Sequence, residues 1–145
     1  MLFSQSYLTA MLAMPTQNNI NERAKYTANT GMVSINTANA NLDGTGSITT
    51  LLTAASNGTQ IKSVTIKSIN STTSDGMIRF FVFNGASYYI IDEIVVPPSK
   101  KSTTYPAFQI SYDLEYSLIA GYAIAVSTEV AETFIISMEA QDWTY

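Results

Sequence analysis

The acidic residues are the first place to look for chemistry, because the sequence has no histidine and no cysteine. Without them the commonest general base, the usual partner of a serine nucleophile and the thiolate metal ligands are all missing. Asp92 and Glu93 are the only adjacent acidic pair. In a strand, successive side chains point to opposite faces, so these two cannot form a paired-carboxylate site by themselves. One surface charge and one cross-strand partner is the expectation. Asp113 and Glu115 lie two apart and share a face if their strand runs through both. A cation site is conceivable there, but a solvated strand end is the plainer reading.

Lys100-Lys101 is suited to an acidic partner, or simply keeps a loop tip solvated and discourages edge pairing. Asn57-Gly58-Thr59 and Asn70-Ser71-Thr72 match the glycosylation pattern, as chance allows in a chain this rich in Asn, Ser and Thr. Nine tyrosines and Trp143 could stack on sugar rings, although most belong in a core or a subunit interface. Tyr88 and Tyr89 are successive, so one faces away from the core and is the better contact candidate. No phosphate-cradling loop, nucleophile elbow or metal-ligand spacing occurs. The reading is a non-enzyme with no catalytic, cofactor or metal residues. A hydrolase working through carboxylates alone is the residual enzymatic possibility.

Composition narrows the class. Charged residues make up 12% of the 145, about half the usual share, while 46% are hydrophobic. That is too apolar for disorder, and it suits an all-β protein whose surface is partly covered by neighbours. A net charge of −4 offers no cationic excess for nucleic acid. No run approaches the ~18 apolar residues of a membrane helix. The opening MLFSQSYLTAMLAMP has no positive n-region and a broken apolar stretch, so it is not expected to be a secretory signal.

The element that organises the rest is Met77–Val96, MIRFFVFNGASYYIIDEIVV. It reads as two strands joined by Asn84-Gly85, a strong hairpin signal. Ile78, Phe80 and Val82 share one face; Met77, Arg79, Phe81 and Phe83 share the other. Such a strand fills a core on one side and meets something on the other.

Along the chain, residues 1–14 have Leu8, Met11 and Leu12 at helical spacing and stop at Pro15. Residues 16–47 are rich in Asn, Thr and Ala, with a short strand suggested at Met32, Val33 and Ile35. A structureless connection of this length is unusual, so it is an extended arm or wraps over a partner. Strands are then expected at 47–55, 60–70, in the central hairpin, and at 108–114, 122–130 and 133–142. Turn residues at Asn57-Gly58, Asp75-Gly76, Pro97-Pro98 and Leu118–Gly121 separate them. Seven or eight regularly spaced strands predict an all-β antiparallel sandwich of jelly-roll type. The domain reading is an N-terminal arm or assembly segment at 1–46 and a sandwich body at 47–145.

Several stretches carry a family resemblance: Gly44–Asn70, IRFFVFNG at Ile78–Gly85, YYIIDEIVVPP at Tyr88–Pro98, LIAGYAIAVST at Leu118–Thr128, and EAQDW at Glu139–Trp143. In this order they resemble small structural proteins of tailed bacteriophages, of the capsid decoration, head-fibre or tail accessory type. The resemblance covers about two-thirds of the chain and leaves out the first forty-odd residues. It implies a virion component with no catalytic motif or cofactor. The implied partners are major capsid or tail proteins and further copies of the chain, expected as a trimer. The alternative it leaves open is a tail or fibre component whose sandwich binds carbohydrate for host attachment.

Overall fold

The computed structural model describes residues 25–144 as eight strands in two four-stranded antiparallel sheets. The strands are β1 (Lys25–Ile35), β2 (Thr49–Thr53), β3 (Thr59–Ser68), β4 (Gly76–Phe83), β5 (Tyr88–Val96), β6 (Gln109–Leu118), β7 (Ala123–Thr128) and β8 (Phe134–Thr144). Sheet A has the order β1-β8-β3-β6 and sheet B the order β2-β7-β4-β5. Within them β1 pairs with β8, β2 with β7, β3 with β6 and β4 with β5. Every such pair sums to nine. This is the order produced when one long antiparallel ribbon, with its bend between β4 and β5, rolls into two facing sheets. The fold is a β-sandwich with jelly-roll order.

The core follows from alternation. Across sheet A one inward row is Val33, Ile136, Ile66 and Ile110, and the next is Gly31, Met138, Val64 and Tyr112. Sheet B answers with Ile78, Phe80 and Val82 on β4 and Ile124 and Val126 on β7. The two inner faces interdigitate, and Phe80, Ile66, Ile136 and Met138 are fully buried.

The central hairpin lies where the sequence places it, but its turn differs. The link is four residues, Asn84–Ser87, closed by Asn84 N donating to Ser87 O at 3.1 Å. Gly85 alone takes a positive φ, of 93°, and Asn84 does not. Asn84 works through its side chain instead: Oδ1 accepts from the N–H of Ala86 and Ser87 at 2.9 and 2.8 Å.

The stretch 16–47 also resolves differently from a single connection. Residues 25–35 form β1, paired with β8 over its full 11 residues. Residues 36–48 then cross the outer side of sheet B as a strap. Residues 25–46 therefore sit within the sandwich rather than outside it. The short helix read at 1–14, and the rest of the arm up to residue 24, lie outside the described residues.

Candidate interaction surfaces

The second face of β4 carries Arg79 inside an apolar run, and this charge shows what the strap does. Arg79 is buried, with a side-chain exposure of 6%. Its Nε donates to Glu93 Oε1 at 2.9 Å across the β4–β5 ladder. Its Nη2 lies 3.2 Å from Glu129 Oε1, and its Nη1 donates to the Asn39 carbonyl at 3.1 Å. Both carboxylates stay partly in water, so the guanidinium bears most of the desolvation, and three acceptors answer it. Glu129 also accepts from Met77 N at 3.0 Å.

Asn39 organises the strap. Its backbone N donates to Thr128 O at 2.7 Å, extending the sheet beyond the end of β2. Its Nδ2 donates to the carbonyls of Thr45 and Ser47 at 2.9 and 3.0 Å, and its Oδ1 accepts from Asn41 N at 2.9 Å. All of this happens at a residue only 5% exposed. Further along, Gly44 has a φ of 85° and lies so close to Tyr88 that a side chain would collide with it. Tyr88 in turn packs edge-on against Phe81, with centroids 6.4 Å apart, and against Phe83 at 4.7 Å. Beneath this cover Phe81, Ala125 and Ser127 are buried on the outer face of a sheet. The Thr45 hydroxyl and backbone N–H hold the Asp43 carboxyl below the usual aspartate value.

The outer face of sheet A has no such cover among the described residues. Its rows run straight across four strands: Ser34, Ile135, Lys67, Gln109; then Met32, Ser137, Thr65, Ser111; then Thr30, Glu139, Ser63, Asp113. The Thr65 and Ser111 hydroxyls bond each other at 2.7 Å. The face ends in a tilted aromatic pair, Tyr26 and Trp143, with centroids 4.4 Å apart. Beside Trp143 is an open recess of about 450 Å³ lined by Asn57, Gly58, Ser117, Leu118 and Ile119.

The residues singled out in the sequence fall as follows. Asp92 and Glu93 do point to opposite faces: Glu93 is the cross-strand partner of Arg79, and Asp92 points inward beside Phe80. Burial, and after it the Asp92 carboxylate, push the Tyr112 hydroxyl up from its ordinary pKa. That hydroxyl makes no hydrogen bond among the described residues. Asp113 and Glu115 are exposed on β6 at a register irregularity. Lys101 Nζ donates to Ile69 O at 3.0 Å and fastens its loop, while Lys100 is solvated. Both glycosylation-pattern asparagines are exposed, but Thr59 and Thr72 are buried, and their hydroxyls donate to Asp142 and the Pro97 carbonyl. Of the tyrosine pair, Tyr89 is the exposed one. The carboxylates that meet are Glu93 and Glu129, and Arg79 between them engages both. The sequence signal for this was a lone arginine within MIRFFVF, whose partners lie 14 and 50 residues away.

No known family profile and no curated protein matches this chain. Two solved structures, each described as a pentameric capsid protein isolated from metagenomic phage sequences, resemble it distantly. One is 15% identical with a TM-score of 0.44, and the match covers 98% of this chain and 75% of that one. The other is also 15% identical, with a TM-score of 0.42 and coverage of 98% and 78%.

Proposed function

We propose that this protein is a non-enzymatic structural component of a tailed-bacteriophage virion, a capsid decoration or head-associated protein. It binds other virion subunits through the outer face of sheet A and through residues 1–24. The observation that carries the reading is the contrast between the faces of this jelly roll. One is sealed by the chain's own strap, and the other is hydroxyl-rich and uncovered among the described residues. A broad, mostly polar face rich in Ser and Thr suits a wide, partly wet contact with a shell. The ordered series of motifs resembling small phage structural proteins supports the same reading, as does the low charge.

The test is co-sedimentation of purified protein with assembled tailed-phage capsid shells, with phage tails as a second bait. Saturable binding is expected, and a Thr65→Arg/Ser137→Arg double variant should lose it while keeping its melting temperature. Full binding by that variant would remove the sheet A face from the proposal. Binding to neither shells nor tails would remove the virion role.

A second reading, glycan binding by a tail or fibre component, is favoured by the recess beside Trp143. There an aromatic face, an amide and hydroxyls meet. Glycan-array binding that vanishes in Trp143→Ala would select it.

A further inference from the structure

Each sheet has two edge strands, and exposed edges invite pairing with another chain. Three of the four carry the features that discourage it. β2 is five residues long and bulges at Leu51. β5 bulges at Ile91 and carries Asp92 and Glu93. β6 is irregular at Leu114–Glu115 and carries Asp113 and Glu115. β1 has none of them. Its 11 residues, KYTANTGMVSI, pair with β8 in unbroken register, contain no proline, and have one charge, Lys25, at the end. Among the described residues its other edge is unpaired.

The strand is also complementary to itself. Laid antiparallel against a second β1 in full overlap, Thr30 meets Thr30 at the two-fold axis. Ala28 then faces Met32, Tyr26 faces Ser34, and Lys25 faces Ile35. No like charges oppose each other, and Thr–Thr is a favourable cross-strand pair. Outward residues stay outward, so the two A sheets join into one eight-stranded sheet with about ten new backbone hydrogen bonds. The outer face of sheet A then doubles in width.

We propose that β1 is a self-association edge, through which two copies pair isologously about Thr30. The inference rests on the strand edges and is independent of the virion role. The measurement is the mass of the full chain by light scattering, with variants at residue 30. The wild type should be a dimer. Thr30→Lys and Thr30→Glu each place like charges together at the axis and should weaken association roughly tenfold or more. A one-to-one mixture of the two variants should regain the dimer, which only a contact of residue 30 with its own copy produces. Thr30→Cys, the chain's sole cysteine, should oxidise to a disulfide-linked dimer, whereas Lys67→Cys on the inner strand β3 should not. A monomeric wild type, an odd-numbered oligomer, or a dimer indifferent to both charges and to oxidation would overturn the proposal. Circular-dichroism melts of the exposed-site variants separate lost association from lost folding.

Discussion

The outer faces of sheets A and B carry different side chains and meet opposite fates. On sheet B, Phe81, Ala125 and Ser127 are as buried as the core, because residues 36–48 lie across them. On sheet A, Thr65, Ser111 and Met32 face outward with no described segment above them. What a strand shows to water depends on whether another part of the chain returns to cover it. In sheet B the returning part is polar, and it is held by a buried arginine and one asparagine rather than by apolar packing alone.

The largest way to test this contrast is at Phe81. Phe81→Ala should cost ~3–5 kcal/mol in urea unfolding, as a core truncation does, although the residue sits on an outer face. Asn39→Ala removes the side chain that ties the strap together. It should cost ~1–3 kcal/mol and speed amide exchange at residues 41–47 before the rest of the molecule. Gly44→Ala forces an alanine to a positive φ against Tyr88 and should cost ~1–3 kcal/mol. It should also raise the fluorescence accessibility of Tyr88. On the other face, Thr65→Ala should stay within ~0.5 kcal/mol of wild type. A Thr65 effect as large as that at Asn39 would abolish the distinction between the faces. The smallest effect is at Asp43. Its pKa is depressed in the folded chain, so its contribution is full above the ordinary value of 3.8 and is lost as pH falls through the lowered folded value. The difference in melting temperature between wild type and Asp43→Asn should therefore be present at neutral pH and vanish in acid.

Much of the fold is legible in the residues. Alternation places β3, β4 and β8 to within a residue or two of their observed limits, and the glycine and proline turns separate the elements correctly. The inner face of β4 was readable from Ile78, Phe80 and Val82, and so was the need for Phe81 to meet something. Two features were harder to read. β1 contains Asn29 and Gly31 in its middle, residues of low strand propensity, and it is a strand because β8 supplies a continuous ladder. The strap looked like a free connection because its polar side chains bond to one another and to backbone, a pattern without period.

The sequence by itself determined where strands run and turn, which side of each is apolar, and that no histidine or thiol chemistry is available. Those are local properties, fixed by side-chain alternation and by the few residues that tolerate tight turns. Tertiary structure alone decided that Arg79 meets Glu93, Glu129 and Asn39, that residues 36–48 cover sheet B while no described residue covers sheet A, and that β1 is the unguarded edge among the described residues. Each depends on segments far apart in the chain being brought within a few ångströms, and residue spacing along the chain carries no record of that.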